Sequence, residues 1–442
     1  PVLPALTKLA LPIMATSLIQ MAYNLTDMIW IGRLGSNAVA AVGAAGMYMW
    51  LSNGLASLSK MGGQVNTGYS LGSGSRKEAA GYIANTLRFA AISGIIFGIV
   101  CMLSATPLIG FFNLNSPQVI ADAKIYLQIT CGLVVFSFVN QSFTGIFTAL
   151  GNSKAAFLAT TSGLIVNIIL DPVLIFGLGP FPAMRIMGAA VATVIAQAIV
   201  TLTFLIFTRK DTLIFPEVHF FGKPNMHYLT SIIKIGLPTS IQSMLFTGIS
   251  MIIARLVASY GDAAVAVQKV GSQIESISWM TADGFAASIN SFAGQNFGGK
   301  RYDRVQKGYF VAAACMFVWG TFCSFLLIFG AQPIFRLFIQ ETDVIPMGVQ
   351  YLTVLGLSQM FMCIESMTVG ALSGIGKTFL SSIISISLTS ARVPLAFLLQ
   401  RTPLGLNGVW WALSLTSVAK GIIFFIVYLK VLKNLTQRGE TN

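Results

Sequence analysis

Apolar runs of about 20 residues recur along the chain from Leu9 to Leu429, each long enough to cross the roughly 30 Å hydrocarbon core of a bilayer as a helix. In lipid the backbone must satisfy its own hydrogen bonds, which leaves helices or a closed barrel. The runs lack the polar alternation over about ten residues that a barrel strand needs, so helices are expected throughout. Composition agrees: 55% of the 442 residues are hydrophobic and 9% charged, against about a quarter charged in a soluble chain. No basic leader with a short apolar core and a small-residue cleavage site opens the sequence, so the first span itself is expected to direct insertion.

Turn residues and charge clusters place spans near 8–33, 38–70, 82–110, 121–150, 155–178 and 185–208, then 229–259, 264–296, 306–337, 344–374, 379–401 and 406–431. Lys and Arg gather on one side of these twelve: Arg76 and Lys77, Lys154, Arg209 with Lys210 and Lys223, Lys300, Arg301, Arg304 and Lys307, Lys377, and Lys430, Lys433 and Arg438. The opposite connections hold little beyond Arg33, Arg185 and Arg401. The positive-inside rule then puts both termini in the cytoplasm. The net charge of +13 is thus mostly a topology signal, and no basic stripe with interleaved aromatics points to nucleic acid.

The sequence repeats itself. Leu11-Pro12, with Leu34-Gly35 and Val39-Ala40 following, returns as Leu237-Pro238, Tyr260-Gly261 and Val265-Ala266 at an offset of 226. Ala149-Leu150-Gly151-Asn152-Ser153-Lys154 echoes Ala371-Leu372-Ser373-Gly374 up to Lys377, and Pro172 matches Pro394 at an offset of 222. A unit of six spans returns to its starting side, so the expected fold is an all-α membrane protein of about twelve helices in two parallel six-helix repeats, as in several transporters. The domains expected are a lobe over 1–208, a cytoplasmic linker over 209–228 carrying Pro216, Gly222 and Pro224, and a second lobe with a short tail over 229–442. A cleft between the lobes is the natural substrate path.

A charge at mid-membrane costs about 2.5–3.5 kcal/mol or more. Asp27 and Asp171 stand at similar depths, roughly 28 and 25 Å from the cytoplasmic ends of their helices. Asn167 lies one turn before Asp171, and Gln20 and Tyr23 share the face of Asp27; Asn140 and Thr144 share a face of the fourth span. Convergence of these faces would make two desolvated carboxyls compete for one proton, giving a group that binds and releases it in the working range. The plainer reading is that Asp171-Pro172 breaks the fifth helix and Asp27 meets headgroups. The repeat places Ile253 and Val393 at the equivalent positions. The second half carries Arg255, Lys269, Glu275, Asp283, Glu365, Arg392 and Lys420. There, Lys269 with Glu275 and Glu365 with Arg392 suggest buried pairing, and a coupling role for Glu365 or Asp283 stays open.

Several features exclude other chemistry. The five cysteines show no CxxC spacing and read as core thiols. Both histidines, His219 and His227, fall in the linker, so zinc-hydrolase spacing is absent, and no catalytic or metal-ligating set is expected. Gly370 to Thr378 imitates a phosphate-binding loop, but Ala371 stands where the first glycine belongs. Asn24-Leu25-Thr26 matches a glycosylation acceptor inside a span. The 18 Met and 32 Phe could line an adaptable cavity, though most would face lipid or neighbouring helices.

Thr26-Asp27-Met28-Ile29-Trp30-Ile31-Gly32-Arg33-Leu34-Gly35, Gly151-Asn152-Ser153-Lys154, Asn167-Ile168-Ile169-Leu170-Asp171-Pro172 and Gly188 to Thr193 resemble the multidrug and toxic compound extrusion family, in its bacterial DNA-damage-inducible-F-like branch. The resemblance covers essentially the whole chain. It implies a V-shaped pair of lobes in a bacterial inner membrane and export of small amphipathic drugs or toxic metabolites against inward proton or sodium flow, with no cofactor and no obligate protein partner. It makes Asp27 the coupling carboxyl, with Gln20, Tyr23, Thr144, Asn167, Asp171 and Thr193 lining a cavity. Thr144 stands where members can carry Asn, Phe246 replaces another branch's seventh-helix acid, and Glu365 is near but not in register with that branch's tenth-helix acid.

A proton-coupled exporter is the leading reading and a sodium-coupled one the second. A lipid-linked precursor flippase would want a cationic cavity, which the first half does not offer. An intramembrane enzyme would need a paired-aspartate motif or a membrane histidine, and neither occurs.

Overall fold

Helix occupies every stretch that reads as a span in the sequence. The computed structural model describes residues 2–34, 36–111, 114, 116–260, 262–336 and 341–440. Gly35 and Gly261 lie outside the described residues, as do the side chains of Lys269, Val39, Ala40, Val265 and Ala266.

The first half contains α1 (Val2–Gly32), α2 (Ser36–Gly72), α3 (Arg76–Leu103), α4 (Ala105–Gly110), α5 (Pro117–Thr130), α6 (Val135–Ala149), α7 (Ser153–Phe176) and α8 (Ile186–Lys210). After a short 3-10 turn at Phe215–Glu217 come α9 (Met226–Ala258), α10 (Asp262–Gly298), α11 (Tyr302–Phe329), α12 (Ala331–Arg336), α13 (Ile345–Gly356), α14 (Gln359–Gly374), α15 (Thr378–Ser390), α16 (Arg392–Gln400) and α17 (Leu406–Glu440). Among the described residues, eight stretches are long and apolar enough to span alone, and α5–α6 and α13–α14, each bent by 47°, make ten when each pair is taken as one span. The 37-residue helices α2 and α10 complete twelve. Hydropathy undervalues them because their polar side chains point into the protein: Ser52, Ser59, Gln64, Asn66 and Thr67 on α2 and Ser276, Ser278, Ser288 and Asn290 on α10 are all buried.

The repeat is visible in the backbone. Ser75 N bonds Ser70 O at 3.0 Å, and Arg301 N bonds Asn296 O at 2.8 Å, an identical turn 226 residues on. Gly74 sits there with φ 83° and Lys300 with φ 55°. Arg33 N to Trp30 O and Ser259 N to Leu256 O repeat the same way. In the later spans the register shifts: Asn152 N to Phe147 O and Lys377 N to Leu372 O, both 2.8 Å, give 377 − 152 = 225 rather than 222. The counterpart of Asp171 is therefore Ala396 instead of Val393, and it is aliphatic either way. The same equivalence makes the Gly376 turn an ordinary helix link, with no strand before it among the described residues.

Two compact units result, Leu11–Ile241 and Pro1–Ala10 with Gln242–Asn442. The division falls inside α9 rather than in the 209–228 connection, because the start of α9 is built into the first unit. Gly236 presses on the Leu58 carbonyl and Gly62 on that of Ile232, leaving no room for a Cβ. Ser231 Oγ donates to Asn66 Oδ1 at 2.7 Å, and Ser240 Oγ to Gly54 O at 2.8 Å. Conversely, Leu6 is buried with Phe292, Tyr309 and Tyr428 in the second unit. All five cysteines are free, with Cys315 alone half-exposed.

These backbone contacts predict that Gly236→Ala destabilises the protein by about 1–3 kcal/mol through overpacking. Gly43→Ala, at a helical site with no atom within 4 Å of a new Cβ, should keep or raise the melting temperature in detergent. Equal melting temperatures for the two variants would contradict the close approach.

Candidate cation-coupling site

The amino-terminal unit holds α7 at both ends: Asn152 Oδ1 accepts from Ala155 N at 3.3 Å, and Gly177, at φ 71°, closes the helix in the left-handed region that glycine tolerates best. Asp171 is carried one turn from the far end of that helix. Trp30 of α1 meets Phe176 of α7 edge-on, with centroids 6.1 Å apart, and Ile31 is buried with Ile175, Ile186, Ala189 and Ala190. This apolar contact brings the Asp27 turn of α1 against the Asp171 turn of α7.

The two carboxyls are neighbours. Asp27 and Asp171 are close enough to act on each other electrostatically, and two carboxyls can hydrogen-bond only when one of them carries a proton. Asp171 and Asn167 are fully buried, with Asn167 Nδ2 donating to Asp171 Oδ1 at 3.3 Å. Asp27 Oδ1, Asp171 Oδ2 and Asn167 Oδ1 are buried acceptors with no donor. Tyr23 turns its hydroxyl toward the Thr193 hydroxyl and both carboxyls without making a hydrogen bond of ordinary geometry, while Thr193 Oγ1 donates to Ala189 O at 3.0 Å. Among the described residues neither carboxyl has a Lys or Arg within ion-pair distance. A bare pair of carboxylates in such a place is prohibitively unfavourable, so the arrangement suits a proton, or a cation taken by the three unpartnered oxygens.

Other predicted residues stand elsewhere. Asn140 is buried and saturated: its Nδ2 donates to Gln197 O and Oε1, both at 2.9 Å, and its Oδ1 accepts from Thr201 at 2.7 Å. Thr144 bonds back to Asn140 O at 2.9 Å. The Asn140 bonds tie α6 to α8. Gln20 is exposed. Tyr126 of α5, which the sequence did not single out, is buried within electrostatic reach of Asp27, Tyr23 and Asp171; a lone Tyr in an apolar run carried no signal of this.

The carboxy-terminal unit balances its charges. The partner of Glu365 is Lys420, at 2.8 Å, not Arg392 as the depths of the adjacent spans suggested. Lys420 Nζ also reaches Thr389 at 3.4 Å. Arg392 donates instead to Thr416 at 2.9 Å and Ser417 at 2.8 Å, close enough to Glu365 and Glu275 to feel both. Glu275 reaches Tyr351 and Gln359. The chain supplied the right charges; which of two cations on neighbouring helices faces Glu365 depends on helix rotation that spacing does not fix. Asp283 and Arg255 are exposed on their helices.

A family model described as MatE matches residues 12–173 and again residues 238–398, once per repeat. The chain belongs to the MatE family. The probable multidrug resistance protein NorM of Thermotoga maritima is 28% identical over 414 residues, 92% of this chain and 87% of that protein. The FAD transporter of Shewanella oneidensis is 24% identical over 427 residues, 96% of this chain and 93% of that one. A solved structure, MATE in the bent conformation, superposes with a TM-score of 0.90 at 23% identity, covering 99% of this chain and 96% of that chain, a likeness of fold. As a MatE protein, the chain is a multi-pass membrane protein of a transporter family.

The Glu365–Lys420 pair predicts a rescue. Glu365→Gln alone leaves a buried ammonium unpaired, at about 3–5 kcal/mol, and should lower the detergent melting temperature. Glu365→Gln with Lys420→Met should restore most of it. No recovery in the double variant would contradict a structural pair.

Proposed function

We propose that this MatE protein is a secondary active exporter of small amphipathic compounds, often cationic, driven by inward proton flow through the Asp27–Asp171 pair. The observation that supports the reading is the closeness of two carboxyls, Asp171 fully buried, with no ion-pair partner for either among the described residues. Such a site is emptied of its proton only at a cost that a bound cation or a conformational change can offset, which is the property an antiporter needs. Tyr23, Asn167 and Thr193 surround the pair, and Gln20, Asn140 and Thr144 stand apart from it in the same unit. The multidrug-resistance name of the Thermotoga relative supports drug-like substrates, whereas the Shewanella relative's name widens the class to larger anionic nucleotides.

The proposed setting is a bacterial inner membrane with both termini cytoplasmic, and the chain is placed in the DNA-damage-inducible-F-like branch. Transport requires neither bond chemistry nor a cofactor. Sodium coupling is the second reading, favoured by one observation: three unpartnered oxygens, Asp27 Oδ1, Asp171 Oδ2 and Asn167 Oδ1, are hard donors of the kind a small cation prefers. A lipid-precursor flippase is less compatible with a carboxylate pair at this site.

Proteoliposomes loaded with a fluorescent lipophilic cation test this. Efflux should follow an imposed pH gradient at constant sodium, and Asp27→Asn and Asp171→Asn should each reduce it at least about 100-fold, the effect of about 2.7 kcal/mol, with melting temperatures unchanged. Efflux that follows only a sodium gradient would replace the proton with sodium. Full activity of Asp27→Asn would remove the pair from the mechanism.

A further inference from the structure

The connection between the two repeats has the composition of a flexible tether, yet its backbone is held at nearly every step. Asp211 Oδ2 accepts from Ile214 N at 2.9 Å and Phe215 N at 3.0 Å. Phe215 is buried and stacks on Phe147, with centroids 5.4 Å apart, and Val218 is buried in the same cluster. Arg88, on α3, spends its guanidinium on this segment: Nε donates to Phe220 O at 3.0 Å, one terminal nitrogen to Lys223 O at 3.1 Å and the other to His219 O. No acid pairs with Arg88 among the described residues. Three carbonyls converging on one planar cation form a geometry that Lys cannot reproduce, since only a guanidinium offers a rigid fork of donors.

Two further contacts extend the attachment. Asn85, one turn before Arg88, accepts from Asn225 N at 2.9 Å, and Asn225 Oδ1 in turn accepts from His227 N at 2.9 Å at the start of α9. Tyr82 packs edge-on against Tyr228, centroids 4.8 Å apart. Gly222 has its α-carbon facing the guanidinium, where a Cβ would stand 2.9 Å from Arg88 NH2. The residues concerned all belong to the unit Leu11–Ile241, so the chain leaves that unit well after the polar connection has ended.

We propose that Arg88 is a positioning residue that fastens the 211–225 connection to α3, so that the connection and the first turns of α9 travel with the amino-terminal unit through the transport cycle. The tether then has no slack of its own, and the point at which the chain becomes free of the unit is set within α9. Loosening the clamp separates the connection from the unit without touching the carboxyl pair.

The test uses full-length protein in proteoliposomes and chymotrypsin, which cuts after aromatic residues. Phe221 has its side chain wholly in solvent, so it escapes cleavage only while its backbone is pinned. Arg88→Gln should raise the rate of cleavage after Phe220 and Phe221 about tenfold or more by increasing local opening, and Arg88→Lys should fall between it and the parent. Gly222→Ala, which leaves Arg88 in place but wedges it from the segment, should also raise cleavage. In the efflux assay both variants should lower the maximal rate with the half-saturating drug concentration nearly unchanged. Parental cleavage rates in Arg88→Gln and Gly222→Ala would overturn the clamp. Faster cleavage with an undiminished efflux rate would overturn its role in the cycle. The transport arm rests on the exporter reading and the protease arm does not, so a parent protein that exports nothing would count against that reading while cleavage alone decides the clamp.

Discussion

Two neighbouring carboxyls inside a helical unit, Asp171 fully buried and Asp27 half-buried, are the constraint around which the amino-terminal unit is arranged. Each would be costly to bury charged, and side by side they add mutual repulsion. What holds them together is apolar: the Trp30–Phe176 contact and the cluster containing Ile31, Ile175 and Ile186. The polar shell is deliberately incomplete, since three acceptor oxygens beside the pair have no donor where interiors normally satisfy almost all such groups. Packing energy therefore maintains a site whose own electrostatics would open it, and a proton or cation is the natural occupant.

The carboxy-terminal unit shows the alternative solution to the same problem. It buries Glu275, Glu365 and Lys420 beside a half-buried Arg392, with Glu365 on Lys420 and Arg392 on the Thr416 and Ser417 hydroxyls. Opposite charges there neutralise each other locally, and no mobile proton is required. The two repeats share helix-link turns at offsets of 226 and 225 and one 47° bend each, yet one unit carries an uncompensated pair where the other has Ile253 and Ala396. Duplication preserved the architecture while the buried charge diverged, which favours coupling through a single unit.

Much of this was legible in the sequence because lipid leaves few options. Span number and limits followed from run length, and the repeat from recurring turn and proline residues. Asp27, Asp171, Asn167 and Tyr23 could be gathered by depth and helical face, while Thr193 came only from the family resemblance. Depth could not separate Asn140, which ties α6 to α8, or Thr144, which bonds back within α6. Nor could it choose between Arg392 and Lys420 for Glu365, a matter of helix rotation. The rigidity of the 211–225 connection was hidden for another reason: its proline, glycine and charges describe a surface loop, and only the reach of Arg88 from α3 converts it into part of the unit.

The central claim, that Asp27 and Asp171 share one exchangeable proton, is tested most directly by infrared difference spectroscopy of the purified protein in lipid. The account predicts a carbonyl band of a protonated carboxyl that shifts in heavy water, vanishes as pH rises or as a transported cation binds, and is missing in both Asp27→Asn and Asp171→Asn. A spectrum in which that band persists unchanged in both single variants, or responds to sodium and not to pH, would contradict it.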